Sequence, residues 1–180
     1  MAKAGLGHLR VTYALYGGLP KEVGPLLLGA QDESIALLHR LVSVHPATRA
    51  IAEWVQRGVL EDIFSYFYRD YLSHHTELLY EQVETILDQR VEKPKTLLVV
   101  CTHFALAQQI AAIKDKIVKE QGVKVALVVV VTDDSPQHLW AVPQADIIFV
   151  PSLRTKNNLE EYHQKIRLAP LARGLRVAAR

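Results

Sequence analysis

A continuous apolar run over residues 126–131, ALVVVV, stops abruptly on Thr132, Asp133 and Asp134. A polar loop containing Trp140 and Pro143 follows, and a second strand-like run over 147–150 ends at Pro151 and Ser152. An unbroken β-branched run reads as a strand buried on both faces, the habit of parallel sheets covered by helices. In such sheets ligands bind in the crevice at the carboxyl ends of the strands. The hydroxyl of Thr132 and the carboxylates after it therefore stand where a binding site is expected.

The same patterning organises the rest of the chain. Gly5-Leu6-Gly7-His8 opens a helix in which Val11, Ala14 and Leu15 share a face, and Gly17-Gly18 stops it. Residues 26–28 form a short apolar run, a candidate strand. Residues 34–57 read as helical with an interruption at His45-Pro46, because proline disfavours helix in the residue before it. Residues 60–90 carry a helical stripe of Leu60, Ile63, Phe64, Phe67, Tyr71, Leu78, Val83 and Ile86. If continuous it would be about 45 Å long. Residues 96–102 read as a strand, and 104–121 as a helix with Leu106, Ile110, Ile113 and Ile117 on one face and Gly122 as its stop. A strand over 123–131, the strand 147–150 and a helix over about 155–166 complete the order. Strand alternating with helix in this way predicts an α/β fold, a Rossmann-like parallel sheet with helices on both faces.

Composition narrows the class. The 180 residues are 49% hydrophobic and 22% charged, which suits a single globular domain over 1–166. The end, 167–180, has four arginines and no acidic residue, and reads as a basic tail or a truncated end. A net charge of +2 gives no call for nucleic acid. The apolar runs are too short to span a bilayer and the start has no signal-peptide pattern, so a cytoplasmic protein is expected. Cys101 is the one cysteine, so no internal disulfide can form.

Three groups of residues could carry chemistry. A glycine-bracketed loop entering a helix exposes N–H groups and the positive end of the helix dipole, which suits phosphate. Gly5, Gly7 and His8 make such a loop, and a histidine there could take a proton from an attacking hydroxyl; the bland alternative is a simple turn with a solvated histidine. Thr132 and Asp133 form the second group, competing with a turn-capping role. Thr102 and His103 close the neighbouring strand and face the same crevice, unless Thr102 is the N-cap of the next helix. The aromatic stretch 64–72 could lie against a membrane interface, but a helix packed on the sheet explains it better. His74-His75 cannot share a helix face and the other histidines lack zinc-like spacing, so no metal is expected.

The stretch GLGHLRVTYAL resembles the GGGH-x-x-x-A-x-A-L loop and helix of GT-B glycosyltransferases of the diacylglycerol glucosyltransferase and monogalactosyldiacylglycerol synthase type. LLVVCTHFALAQQIA is similar to that family's strand, Thr-His and helix. VVVVTDDSPQHLWAVPQADIIFVPS is similar to its V-T-D…W…P…D…F-V-x-S segment. The resemblance implies one Rossmann-like half of a two-domain fold, the half that binds the acceptor. It implies inverting transfer of a sugar from a nucleotide-sugar to a lipid-like hydroxyl, without a metal or other cofactor. By position, Gly5 and Gly7 would form the acceptor-side loop, His8 would be the base, Asp133 would assist it, and Thr102, His103, Thr132 and Trp140 would line the acceptor site. The implied partners are a donor-binding domain or subunit and an acceptor at the inner membrane face, where the protein would be peripheral. Leu6 stands where the family has a glycine, which keeps open an alternative: a non-catalytic Rossmann-like binding or partner subunit.

Overall fold

The computed structural model describes residues 6–28, 59–133 and 137–168. In chain order these hold α1 (Leu6–Gly18), α2 (Val59–His74), α3 (Glu77–Asp88), β1 (Thr96–Cys101), α4 (Phe104–Gln121), β2 (Lys124–Val130), β3 (Ile147–Phe149) and α5 (Leu153–Leu168). Short 3-10 turns occupy Lys21–Val23 and His138–Trp140. The fold is α/β: a three-stranded parallel sheet in the order β1-β2-β3, flanked by helices in the Rossmann-like manner. The helical reading of 34–57 lies outside the described residues, as do Gly5 and the end of the chain after Leu168. None of the described helices is long and apolar enough to cross a membrane.

Helix α4 is the centre of the packing. Its Ile110, Ile113 and Ile117 lie against Val123, Val125, Leu127 and Val129 of the sheet in one buried cluster. Leu106, expected on the same stripe, is only partly buried. Burial instead extends round the helix to Ala105, Gln108 and Gln109, because α2 and α3 cover the side away from the sheet. The helix ends at Gly122, whose φ of 67° is the left-handed cap, its N–H donating to Val118 O. Truncating a side chain as enclosed as Leu127 or Ile117 to alanine would cost about 2–5 kcal/mol.

The valine run of β2 does not have two equally buried faces. Val125, Leu127 and Val129 are buried against α4, whereas Ala126, Val128 and Val130 are half-buried. The same face of the outer strands is open: Leu98 is 56% and Phe149 57% exposed. Among the described elements, α4 is the helix that packs directly on the strands, and it does so from one face.

Two local expectations differ from the structure. Residues 26–28 form no strand, and Leu26 and Leu27 are exposed after the left-handed Gly24. The long helical stripe of 60–90 is divided at His75-Thr76 into α2 and α3. His74 and His75 each turn Nδ1 back to donate to a carbonyl of the last turn, those of Asp70 and Tyr71. The carbonyl released at His75 accepts from the buried amide of Gln109 at 2.6 Å. Thus the histidine pair closes a helix, and it has no need of a metal to explain it. The aromatics of α2 also divide: Tyr68 and Tyr71 pack toward Phe104, whereas Phe64 is 40% and Phe67 66% exposed.

Before β3 begins, Asp146 stands in for a missing strand residue. Its Oδ2 accepts from Leu127 N–H and from Lys114 Nζ, both at 2.7 Å. The lysine first, and then the backbone N–H, hold this carboxyl below the usual carboxylate range. A depressed carboxylate contributes stability above its unfolded pKa, near 4, and loses it as pH falls through the lower folded value. The gap in urea midpoint between the native chain and Asp146→Asn is therefore expected to be full at about pH 6 and to close by about pH 2. A gap that does not vary with pH would show that the charge plays no part.

Candidate functional site

The site follows from the register. Cys101 of β1 pairs with Val129 of β2, so the two strands end almost level and release Thr102 and Thr132 at the same edge. Helix α1 meets that edge through its first turn. His8 Nδ1 lies 2.9 Å from the carbonyl oxygen of Thr102 and 2.7 Å from Thr132 Oγ1. A carbonyl can only accept, so Nδ1 carries a proton, and in the neutral ring the lone pair is on Nε2. Among the described residues Nε2 has no hydrogen-bond partner. This is the arrangement a general base needs: one nitrogen oriented by the protein, the other left basic.

Aromatic rings enclose the imidazole. The His103 ring meets it edge-on at 5.2 Å, and the Trp140 ring lies 6.1 Å away. Phe104 stacks on His103 at 4.7 Å and meets Trp140 edge-on at 5.8 Å. His103, rather than Thr102, is the N-cap of α4; its Nδ1 accepts from Ala105 N–H. The hydroxyl of Thr102 is turned to Thr12 instead, at 2.6 Å.

Asp133 reaches the site indirectly. Its Oδ2 accepts from Trp140 Nε1–H at 2.9 Å, so the carboxylate orients the indole. The position beside His8 Nδ1, where an orienting group acts, belongs to Thr102 and Thr132. Trp140 is fully buried and forms part of the core beneath the site. Gly7 lies in the first turn of α1 and is exposed; a Cβ there would meet nothing within 4 Å, so the fold itself does not demand glycine.

The turn that carries Trp140 is held by residues that the motifs did not point to. Gln108, on the buried side of α4, donates from one amide nitrogen to Leu139 O at 2.8 Å and Ala141 O at 3.0 Å. From α2, Glu61 accepts from His138 N–H at 3.0 Å, and Asp62 Oδ1 lies 2.7 Å from His138 Nδ1. The His138 ring stacks on Tyr162 of α5 at 3.8 Å. Arg69 donates to the Tyr162 hydroxyl at 3.0 Å. Burial pushes the Tyr162 phenol up. A glutamine inside an apolar helix stripe is a signal that could have been read, since buried amides require partners; the approach of Glu61 and Asp62 to His138 had none.

Other groups are less suited to chemistry. Burial pushes the Cys101 thiol up to about 12, far from a reactive thiolate. Among the described residues no group of three or more His, Cys, Asp or Glu side chains is placed to hold a metal ion.

No protein-family profile, curated protein or solved structure matches this chain. The site thus stands on its geometry.

Replacing Gln108 with leucine would leave the carbonyls of Leu139 and Ala141 without these donors in a buried place. Gln108→Leu is expected to lower stability by about 1–3 kcal/mol and to shift the Trp140 indole N–H resonance, measured by urea unfolding and NMR. An unchanged resonance would mean that Gln108 does not hold the turn.

Proposed function

We propose that this chain is the acceptor-binding half of an inverting GT-B glycosyltransferase, of the diacylglycerol glucosyltransferase type that its motifs resemble. The observation that carries this reading is His8 at the sheet's carboxyl edge, with Nδ1–H held on the Thr102 carbonyl and Nε2 left basic. In the reaction, Nε2 takes the proton of the acceptor hydroxyl as its oxygen bonds to the anomeric carbon of the sugar. The bond from that carbon to the nucleotide diphosphate breaks on the opposite face, and the configuration inverts. The nucleotide-sugar is brought by a donor-binding domain or subunit.

The acceptor class follows from the surroundings. Helix α1 has no acidic residue, and its Leu9, Tyr13 and Tyr16 are exposed. On α2, Phe64 and Phe67 are exposed, and Phe64 stacks on Tyr68, which meets Phe104 beside the site. Apolar and aromatic side chains displayed on helices around a polar centre favour a lipid-like hydroxyl acceptor met at a membrane surface. The protein in this reading is peripheral at the inner membrane face, with no part for nucleic acid.

Two measurements test the reading. The 180-residue chain alone is expected to bind phosphatidylglycerol vesicles containing diacylglycerol, and Phe67→Ser to weaken that binding about tenfold; it is expected to show no affinity for UDP-hexoses. Turnover of a UDP-hexose by this chain alone would overturn the half-enzyme reading. With the donor half present, His8→Ala is expected to lower turnover about a hundredfold or more. A near-normal rate would exclude His8 as the base and favour a binding module.

A further inference from the structure

Helix α1 has a peculiar attachment. It is apolar on most sides, yet Leu9, Tyr13, Leu15 and Tyr16 are all exposed. Among the described residues, its hydrogen bonds to the strand ends come from two residues, His8 and Thr12. A helix of 13 residues is marginal by itself in water, so its docking depends on such links.

The directions of the hydroxyl bonds can be worked out. Thr12 Oγ1 lies 2.8 Å from the carbonyl of His8, one turn back, and a carbonyl only accepts. The single proton of Thr12 is therefore used there, in the back-bond that threonine commonly makes within a helix. The 2.6 Å contact between Thr12 and Thr102 must then run from the Thr102 hydroxyl to Thr12 Oγ1. The result is a closed ring of interactions. Thr102 donates by its hydroxyl to Thr12, Thr12 donates to the backbone of His8, and His8 returns its Nδ1–H to the carbonyl of Thr102. Thr102 is buried, so little water competes for these bonds.

We infer that Thr12 is a positioning residue for His8: its hydroxyl joins the first turn of α1 to Thr102 and so keeps the imidazole in the Nδ1–H form, with Nε2 facing the site. The inference rests on the reading of His8 as a base for its purpose, but its geometry can be tested without turnover. Thr132 Oγ1 also lies on the Nδ1 proton and belongs to the same device.

The test uses the full chain with labelled histidines, and reads the nitrogen shifts of neutral His8 by NMR. The native chain is expected to show Nδ1 protonated. In Thr12→Val, which keeps the shape and removes the hydroxyl, the ratio of Nδ1–H to Nε2–H forms is expected to fall about two- to tenfold, the worth of one hydrogen bond. Thr12→Ser is expected to restore it. The Trp140 indole N–H, bonded to Asp133 away from α1, serves as the control. A ratio unchanged in both Thr12→Val and Thr12→Ala would overturn the inference. So would loss of the Trp140 resonance in both, since Thr12 would then be holding the fold and not the ring. A shifted ratio beside undiminished turnover of His8→Ala with the donor half would remove the catalytic reading and leave the positioning role in place.

Discussion

Parallel pairing of β1 with β2 brings two strand ends level, and the packing of α4 across that pair is the contact on which everything at the edge depends. Ile110, Ile113 and Ile117 hold the helix on Val123, Val125, Leu127 and Val129 with almost no water between them. The opposite side of α4 is covered by α2 and α3. A helix enclosed in this way can turn or slide only by opening cavities, which costs several kcal/mol for each large side chain. Its N-terminus, carrying His103 and Phe104, is therefore a rigid wall of the site.

The same helix reaches across to the loop after β2. Gln108 ties the turn that carries Trp140, and the Trp140 indole donates to Asp133. The loop is long and polar in sequence, yet Leu139, Trp140, Ala141 and Val142 are all buried. It behaves as a part of the core that passes beneath the site. From the other side α2 and α5 hold His138 through Glu61 and Tyr162. Helix α1 is the exception to this apolar construction. Its hold on the strand ends is a small set of hydrogen bonds, and the imidazole of His8 is one of the groups making them.

Much of the fold was legible because hydrophobic period and glycine position are local signals. Helix α4 begins and ends where Phe104 and Gly122 placed it, and α1 where Gly17-Gly18 stopped it. The strands followed from their valine and isoleucine runs to within a residue or two. Failures came where neighbours decide. Residues 26–28 are apolar enough for a strand, but an apolar run becomes a strand only beside another. The stripe of 60–90 continues through His74 and His75, yet side chains returning to the backbone there, and the amide of Gln109 arriving from α4, favour a break. The valine run of β2 suggested two covered faces, whereas cover depends on what packs against it.

The site divides along the same line. The sequence by itself determined which residues would stand at the carboxyl edge, because a strand's last residue and the turn after it are adjacent in the chain: Thr102 and His103 after β1, Thr132 and Asp133 after β2. It also placed His8 at the start of a helix. Only the tertiary structure decided that these residues meet, across 94 positions between His8 and Thr102 and 124 between His8 and Thr132. It also decided their roles. Thr102 and Thr132 took the place beside Nδ1, Asp133 took the indole of Trp140, and Thr12 and Gln108 entered without a motif. The physical reason is that hydrogen bonds are short and directional. Position along a chain brings a group to the right edge, but which of two neighbouring acceptors receives a proton is set by tenths of an ångström that only packing supplies.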